Sequence, residues 1–574
     1  MPRSTIAACS VEHTEPTESP EQTGAERRAR WPWIVFGLAA FASAVLVMYL
    51  GRDLLFFLDE WDWILRRRDP SLEVLLKPHN GHLTIIPIAV YEILLWLFGL
   101  THYEAFRALV LTLHLATCTL AFVYLRHRVA PAVALAGAVV LLFYGSGWQD
   151  IIWPFQIQFL LSVAAGIGAF LLLSAQRRRA DVGASVCVMV ALASSSVGIP
   201  IAAGVGLELM LRRRWRRLWV VAAPVAVYAI WYVTSGEPES RVDGPVELVR
   251  FVVEAAGAVI GSLLGVGMTV GQLLLLVVVP AFGVAFVRAT RDERPRLLGL
   301  AAVPVVFWTL LGISRAGLQP PDSSRYLYPA AVFVVLVAAE CLRRVRLPTV
   351  ALAAIVVVAA WSVVWNVGQM RDGRVVLLEA STNARIDLGA MKAGVTDVPS
   401  WYGAVRPPIP EVMRLYTDAL EELGSPVATI DGLATAPEAQ RFRADAFLSR
   451  AVGLHLADPK TPNGPVPRVT RGTPSASDGS CVTVGGAGGG ADAEVEANSR
   501  GLLVEALSAA PVELRVRSFA AGYFTEPNAW AKVAASSART LLVPQVAGRP
   551  WRLGVRSDGA VRVCAADGAL RHAT

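Results

Sequence analysis

The chain has 574 residues and a formal net charge of +7; 54% of its residues are hydrophobic and only 17% are charged. Soluble domains carry about 25% charged residues, so this composition, with a mean hydropathy of +0.49, excludes an ordinary soluble protein. The positive charge does not indicate nucleic-acid binding, because most Lys and Arg residues lie in short loops, where they orient membrane helices. The sequence therefore predicts a polytopic membrane protein.

Residues 1–30 are rich in Glu, Thr, Ser and Pro and lack hydrophobic periodicity, which predicts a disordered tail. Three arginines, Arg27, Arg28 and Arg30, end this tail directly before the first apolar segment, and the positive-inside rule places them in the cytoplasm. Because the polar lead is too long for the charged start of a cleavable signal, we expect the first apolar segment to be retained as a helix.

Apolar segments recur from Trp33 to Gly368, and each is long enough, or nearly so, to cross a hydrocarbon layer of about 30 Å. Arginine clusters mark predicted inside loops at 126–128, 177–179, 212–217, 288–296 and 343–346. The predicted spans are 33–51, 105–125, 131–147, 156–174, 183–198, 199–211, 218–234, 271–288, 297–314, 328–342 and 347–368. About eleven spans, an odd number, place the C-terminus outside the cytoplasm.

Two further apolar segments do not fit this parity. Residues 246–266 carry Glu247, Arg250 and Glu254 at helical spacing, which is typical of an amphipathic helix in the membrane interface. Residues 83–100 are expected to lie along, or dip into, the outer leaflet. Alternatively, both segments cross the membrane. The total number of spans then stays odd and the C-terminus stays outside, but the RRRWRR cluster moves outside as well.

The hydropathy falls after Gly368. Residues 369–464 mix helical patterns with loops, and residues 465–574 show short alternating strands separated by Gly, Ser and Pro, which predicts a β-sandwich. Cys481 and Cys564 lie on the first and last of these strands, and in an oxidising outer compartment we expect them to form a disulfide. The predicted fold class is an α-helical polytopic membrane protein with a C-terminal extracytoplasmic α+β region.

The first loop, FLDEWDWILRRRD, contains the acidic residues Asp59, Glu60 and Asp62. A charge at the bilayer centre costs roughly 2.5–3.5 kcal/mol, so we expect these acids at the outer boundary, with Trp61 and Trp63 in an interfacial belt. Three acids within four residues repel one another, which indicates a bound cation, a raised pKa or a nearby arginine. The alternative is that they are solvated loop acids at the start of a juxtamembrane helix.

Two more polar groups follow in outer loops. The PHNGH turn supplies His79, Asn80 and His82, which are expected to hydrogen-bond phosphate or hydroxyl groups; a metal site with the loop acids is less favoured, because Asn-Gly is first of all a turn. The segment WQDIIWPFQIQ combines amide donors with aromatic rings, a combination that holds sugar rings; interfacial anchoring is the alternative reading. Its polar and aromatic residues are Gln149, Asp150, Trp153, Gln156 and Gln158.

These motifs, together with SSSVGIP and SSRYLYP, resemble a group of bacterial polytopic proteins in the GT-C superfamily of membrane glycosyltransferases. The resemblance covers about residues 33–368, and the motifs are specific as a set and weak singly. It implies a multi-pass protein of the bacterial plasma membrane that uses a polyprenyl-phosphate sugar as donor. The acidic pair departs from the family pattern, since Asp-Glu stands where a second Asp is commoner. The C-terminal strand pattern resembles carbohydrate-binding modules that some such enzymes carry.

The resemblance also implies roles for these residues. A carboxylate would act as the base for the acceptor hydroxyl, with Asp59 as the first choice and Glu60 as the second. Arginine suits the departing phosphate, and Arg325, beside Tyr326, is the first candidate, with Arg315 as the alternative. The alternative role for Arg325 is that of a snorkelling anchor at a helix end. Asp62 and the histidine and glutamine groups would bind substrate. No cofactor is assigned, a divalent cation (Mg²⁺ or Mn²⁺) stays an open alternative, and the acceptor would be a glycan or lipid of the cell envelope.

Two other functional classes stay open. A lipid or polysaccharide transporter would show internal repeats or charges within spans, and Glu208 is the main acid within a predicted span. A non-catalytic envelope assembly protein, with the C-terminal strands as its working part, would tolerate the loss of Asp59.

Overall fold

The computed structural model describes residues 20–67, 71–175, 177–236, 244–394, 409–451, 455–486, 489–497, 501–520, 531–542 and 549–566. Most of the predicted disordered tail lies outside these residues, but residues 20–30 belong to the first helix. The chain divides into two compact units. The first comprises residues 1–50, 78–83 and 109–371, and the second comprises residues 51–77, 84–108 and 372–574.

Helices dominate the chain up to residue 451. In chain order they are α1 (Pro20–Leu50), α2 (Asp59–Arg66), α3 (Leu72–Leu76), α4 (Ile85–Phe98), α5 (Tyr103–Arg126), α6 (Pro131–Leu142), α7 (Trp148–Ile152), α8 (Ile157–Ser174), α9 (Arg178–Ser194), α10 (Gly198–Leu211), α11 (Trp219–Ser235), α12 (Pro245–Leu264), α13 (Gly267–Arg288), α14 (Arg294–Arg315), α15 (Ser324–Leu342), α16 (Thr349–Gly394), α17 (Ile409–Glu422), α18 (Ile430–Thr435) and α19 (Glu438–Ala451). Three short 3₁₀ turns lie at Gly145–Gly147, Pro154–Gln156 and Trp215–Arg217.

The protein is an integral membrane protein. Among the described residues, eight helical segments are long and apolar enough to cross a bilayer: Arg30–Leu50, Tyr103–Arg126, Pro131–Ile152, Pro154–Ser174, Gly267–Arg288, Arg294–Arg315, Ser324–Leu342 and Thr349–Lys392. Helices α4, α10 and α11 are apolar but shorter. Helices overlap all of the predicted spans, but the number that cross the membrane stays a prediction.

Small residues bring α12 and α13 close together in the first unit. Each helix carries two glycines four residues apart, Gly257 and Gly261 on α12 and Gly267 and Gly271 on α13. A Cβ atom on Gly271 would collide with the carbonyl oxygen of Gly257, so only glycine permits this approach. Small residues at this spacing are a usual means of packing membrane helices. The position of α12 in the membrane interface stays a prediction.

The C-terminal part of the second unit contains eleven short strands in its described residues. They are β1 (His455–Ala457), β2 (Val469–Arg471), β3 (Pro474–Asp478), β4 (Cys481–Val484), β5 (Ala491–Ala497), β6 (Gly501–Ala506), β7 (Val512–Arg517), β8 (Ala531–Val533), β9 (Ala538–Leu542), β10 (Trp551–Ser557) and β11 (Val561–Ala566). They form two antiparallel sheets, in the orders β1-β9-β6-β11-β4-β3 and β2-β5-β10-β7-β8.

One hydrophobic cluster joins the two sheets. Val504 on β6 and Leu514 on β7 belong to it, and so do Ile386 on α16 and Leu448 on α19. Strand β7 shows the alternation expected of a half-buried strand, since Val512, Leu514 and Val516 are buried while the residues between them are partly exposed. The predicted strands are therefore present; the β-sandwich and the domain boundaries given above stay predictions.

Covalent and polar contacts reinforce this region. Cys481 and Cys564 stand opposite each other on β4 and β11, with their Cα atoms 3.9 Å apart, and form the predicted disulfide. Asp445 on α19 accepts hydrogen bonds of 2.8–2.9 Å from three backbone N–H groups of residues 518–520. Burial raises the pKa of Asp445, and these three donors oppose that shift.

Candidate functional site

The segment that precedes α2 is held by α16 within the second unit. The Arg385 guanidinium donates a 2.8 Å hydrogen bond to the carbonyl of Asp53, and the backbone N–H of Leu55 donates a 3.0 Å bond to the Ser381 hydroxyl. These bonds satisfy backbone groups of a segment that has no regular secondary structure. They fix the point at which the acidic helix α2 begins.

The first acid of α2 follows a strained residue. Leu58 has φ 46° and ψ −114°, a conformation that L residues rarely adopt, and its side chain is 62% exposed, so little burial offsets the strain. Backbone strain of this kind costs on the order of 1–3 kcal/mol and concentrates at functional sites. Asp59, the next residue, is partly exposed and has no hydrogen bond or ion pair with any described residue. It is therefore free to interact with a ligand.

Glu60 has a different environment from its neighbour. It is completely buried, and its carboxylate accepts hydrogen bonds from the hydroxyls of Tyr91 (2.7 Å) and Tyr103 (3.1 Å) and from the backbone N–H of Phe57 (2.8 Å). A buried carboxylate is costly unless such donors surround it. These bonds give Glu60 a structural role, so the geometry favours Asp59 over Glu60 as a reactive acid.

The two tryptophans of α2 are core residues. Trp61 and Trp63 are 6% and 1% exposed, and the Trp63 ring packs edge-on against Tyr91 with 4.9 Å between ring centroids. Both rings therefore pack inside the protein and do not face lipid, while their level relative to the membrane boundary stays a prediction. The Asp62 carboxylate lies 3.5 Å from the guanidinium of Arg66, one helical turn further along α2. This ion pair partly compensates the charge of Asp62.

The histidine turn, residues 78–83, belongs to the first unit. Asn80 and Gly81 both have positive φ, 50° and 76°, as a two-residue hairpin turn requires, and His79 and His82 exchange backbone hydrogen bonds of 3.0 and 2.9 Å. The Arg315 guanidinium donates a 3.2 Å bond to the Asn80 carbonyl. Helix α14, through Arg315 at its end, thus contributes to the placement of the turn.

His82 is held neutral in this turn. Burial, followed by the positive charges of Arg315, His79 and Arg325, lowers the pKa of His82 to about 3. Its Nδ1 atom is buried and has no hydrogen-bond partner among the described residues. The turn therefore offers a neutral imidazole in a positive field, an arrangement that suits an anion.

Three polar side chains, from α7, the following 3₁₀ turn and the start of α8, are buried without their usual partners. Asp150, Gln156 and Gln158 are 0%, 1% and 3% exposed. Both carboxylate oxygens of Asp150, both amide atoms of Gln156 and Oε1 of Gln158 lack hydrogen bonds to the described residues. Each unsatisfied buried group costs about 1–3 kcal/mol, so such a concentration requires an explanation, and a bound polar ligand is one.

Arg325 joins this group from the start of α15. Its Nε atom is also buried without a partner among the described residues, and it is close enough to Asp150 to interact with it electrostatically. The guanidinium lies over the Tyr326 ring, 5.4 Å from its centroid. The Arg325 backbone N–H donates to Gln149 Oε1 at 3.1 Å, and the Gln149 N–H donates to the Ser324 hydroxyl at 3.1 Å. Asp150, Gln156, Gln158 and Arg325 are called the buried polar set below.

A cavity of about 340 Å³ lies beside Gln149 in the first unit. Its volume is within the range of about 300–1,000 Å³ that is usual for small-molecule sites. The Asn366 amide oxygen accepts from the backbone N–H and the hydroxyl of Ser146, at 2.9 and 2.8 Å, and so shapes one wall. Polar and aromatic side chains line the cavity, among them Ser146, Trp148, Gln149, Asp322, Ser324 and Trp365.

The predicted site residues fall into two groups. Asp59, Glu60 and Asp62 belong to the second unit, whereas the histidine turn, Arg315, Arg325, Tyr326 and the glutamine segment belong to the first. Within the first unit, the structure brings Arg325 near both Asp150 and His82. The predicted pairing of Asp59 with Arg325 joins residues of different units and stays a prediction.

Several contributing residues escaped the sequence analysis. Tyr91 and Tyr103 satisfy Glu60, and Asn366 holds the turn at Ser146. The sequence gives little indication of these roles, because each of these residues is a single polar side chain within a mainly apolar stretch. Among the described residues, no group of three or more His, Cys, Asp and Glu side chains has a geometry suited to a metal ion, and a metal requirement stays open.

No protein-family model and no curated protein matches the chain. Among solved structures, the chain is similar to the crystal structure of ArnT from Cupriavidus metallidurans in the apo state, with 16% identity over 75% of this chain and 96% of that chain. The TM-score is 0.45. A likeness this distant assigns no activity.

Proposed function

We propose that the protein is a GT-C-type membrane glycosyltransferase that transfers a sugar from a polyprenyl-phosphate donor to an acceptor of the cell envelope, a glycan or a lipid. The observation that carries the proposal is the buried polar set: both carboxylate oxygens of Asp150, both amide atoms of Gln156, Oε1 of Gln158 and Nε of Arg325 have no hydrogen-bond partner among the described residues. Buried polar atoms are normally paired. A ligand with many hydroxyl groups and a phosphate would supply the hydrogen-bond partners that these atoms lack.

The donor phosphate is assigned to the cations around the histidine turn. Arg315 and Arg325 both act electrostatically on His82, which shows that their positive fields overlap there. A guanidinium matches the oxygens of a phosphate with two parallel hydrogen bonds, and the neutral His82 ring can donate one more. Stabilising the charge that develops on a departing phosphate is the role such donors have in transfer reactions.

The sugar is assigned to the acceptor and donor groups of the buried polar set. Gln156 and Gln158 each combine an amide donor and acceptor, and the Asp150 carboxylate accepts from two hydroxyls at once. Gln149 links this set to the neighbouring cavity through its bond to the Arg325 backbone. We assign that cavity to the acceptor, because its polar and aromatic lining suits a second sugar ring.

The base is assigned to Asp59. It removes the proton of the acceptor hydroxyl while the hydroxyl oxygen bonds to the anomeric carbon, and the bond from that carbon to the phosphate oxygen breaks, leaving its electrons on the polyprenyl phosphate. The support for Asp59 is its exposure, its lack of partners among the described residues and the strained residue before it. Asp150 is the competing candidate, as an acid of the first unit.

The experiment that tests the proposal measures donor binding and sugar transfer in membrane vesicles with a labelled polyprenyl-phosphate sugar. Gln156→Ala and Asp150→Asn are expected to weaken donor binding about 10- to 100-fold, the range that hydrogen bonds to charged or buried groups supply. Asp292→Asn, an exposed acid of the same unit, is the matched control. Unchanged binding and transfer in both variants would overturn the proposal.

The outer face of the membrane is proposed as the site of reaction, because the arginine clusters place the acidic loop outside. An impermeant thiol reagent should label Ser475→Cys on the exposed strand β3 in intact cells and should leave Cys9 of the tail unlabelled, with the helix cysteines replaced by alanine. The reverse pattern would place the reaction on the cytoplasmic face.

A further inference from the structure

A second polar site lies in the first unit, among arginines that the proposed reaction does not use. It is a pocket of about 170 Å³ between helix ends and loops. Its lining includes one acid, Glu208, and six arginines: Arg128, Arg212, Arg214, Arg217, Arg296 and Arg343. Four of the inside loops predicted from the sequence contribute to this one pocket.

Ion pairs within the described part of the chain balance only some of this charge. Glu208 is buried and lies between two arginines, 2.9 Å from Arg212 and 2.7 Å from Arg296. The ion pairs of Arg128, Arg212, Arg217, Arg296 and Arg343 use four carboxylates, Asp181, Glu208, Glu293 and Glu340. The guanidinium groups thus outnumber the carboxylates they meet, and the pocket carries a positive potential.

The backbone conformation of the turn after α10 holds two arginines at the pocket. Arg213 has φ 54°, where glycine is the usual residue, and the Arg214 N–H bonds the Leu209 carbonyl at 3.0 Å, as in a Schellman helix end. A non-glycine residue is strained in this conformation, because its Cβ atom approaches the following carbonyl oxygen. The turn directs Arg212 and Arg214, on either side of it, into the pocket lining.

Exposed apolar side chains surround these arginines along the chain. Trp215 and Trp219 are 61% and 41% exposed, and Met210 and Leu211 are each 44% exposed. Tryptophan is enriched at the level of lipid headgroups, and exposed aliphatic side chains on membrane helices face acyl chains. The surroundings of the pocket thus combine the residue types that suit lipid headgroups with those that suit acyl chains.

We propose that this arginine pocket binds the headgroup phosphate of an anionic phospholipid. Basic pockets between membrane helices on the cytoplasmic side suit such headgroups, and arginine forks match phosphate oxygens. The acyl chains lie against the exposed apolar side chains beside Trp215. The site is independent of the proposed glycosyl transfer, since it shares no residue with it.

The test is native mass spectrometry of the full chain with phosphatidylglycerol, phosphatidylcholine or inorganic phosphate. The double variant Arg214→Gln, Arg343→Gln leaves the buried Arg296–Glu208 pair in place and should bind phosphatidylglycerol about 100-fold more weakly, since each charge-assisted hydrogen bond from the pocket to the phosphate contributes about tenfold. The single variant Arg343→Gln, at a side chain that is 42% exposed, controls for a folding defect and should weaken binding about tenfold.

Arg179→Gln is the matched control, an exposed arginine at the start of α9 that does not line the pocket, and it should bind as the wild type does. Equal binding of phosphatidylcholine and phosphatidylglycerol, or an equal loss in the control, would overturn the proposal. Competition by inorganic phosphate at concentrations similar to the lipid would overturn the lipid assignment and leave a site for free phosphate.

Discussion

The hydroxyl of Tyr91 donates a 2.7 Å hydrogen bond to the Glu60 carboxylate in an environment from which water is excluded. Tyr103 and the backbone of Phe57 complete the partners of that carboxylate. The two adjacent acids Asp59 and Glu60 of one short helix therefore have different environments and different hydrogen bonding. Glu60 fastens α2 to α4 and to the start of α5, while Asp59 has no partner among the described residues.

Glu60→Gln is expected to lower the free energy of unfolding by about 1–3 kcal/mol, because an amide cannot accept at both positions and leaves a buried donor unsatisfied. The measurement is thermal unfolding in detergent, together with transfer activity per folded molecule. Glu73→Gln, at an exposed position of α3, serves as control. Unchanged thermal stability with complete loss of activity would show instead that Glu60 is catalytic.

Asp59→Asn is expected to slow sugar transfer by 10²–10⁴-fold, the range typical of losing a general base, and to leave the unfolding temperature unchanged. Asp372→Asn, an exposed acid of the same unit, should transfer sugar at the wild-type rate. If Asp59→Asn is as active as wild type while Asp150→Asn is slow, the base belongs to the first unit.

Arg325→Ala is expected to reduce kcat/KM about 10- to 100-fold, and Arg325→Lys by less, since lysine keeps the charge and loses the two-pronged hydrogen bonding. The same two changes at Arg346, which is exposed and forms no ion pair with the described residues, control for altered membrane orientation. An equal effect of the alanine and lysine variants would mean that the two parallel hydrogen bonds of the guanidinium are essential. If neither variant has an effect, Arg325 does not belong to the donor site.

Stability is expected to fall as the pH drops from about 6.5 toward 3, in part because of His82. Its pKa is about 3 in the folded protein against 6.5 for a free imidazole, so in this window the unfolded chain binds a proton that the folded protein excludes. This contribution is complete above about pH 6.5 and is lost as the pH falls through that window. Unfolding temperatures of wild type and His82→Gln should therefore converge toward low pH.

Replacing Cys481 and Cys564 by serine is expected to destabilise the strand region by about 2–5 kcal/mol, because the bond closes a loop with a sequence separation of 83. Limited proteolysis of the full chain under graded denaturant measures this, with cleavage in β4–β11 as the readout. Cys341→Ser, in α15, should leave this cleavage unchanged. A double serine variant that resists proteolysis like wild type would contradict a stabilising role.

The sequence by itself was sufficient for features that depend on neighbours along the chain. Apolar runs located the helices, and Asn80-Gly81 predicted a two-residue turn that the structure confirms with positive φ at both residues. The alternation of the C-terminal strands, with a cysteine on the first and last of those predicted, was enough to place the disulfide. Hydrophobic periodicity and turn chemistry are local, and so a single sequence carries them.

Only the tertiary structure decided how each polar side chain is used. Nothing along the chain links Glu60 to Tyr91 and Tyr103, or Arg325 to Asp150, because these partners are 31 or more residues apart and meet only when helices pack. Trp61 and Trp63 were expected at the membrane boundary and are buried, since tryptophan suits an interface and a core equally well. The arginine clusters likewise appeared as separate topology signals, and folding brings four of them to one pocket, where their summed charge creates a site that none has alone.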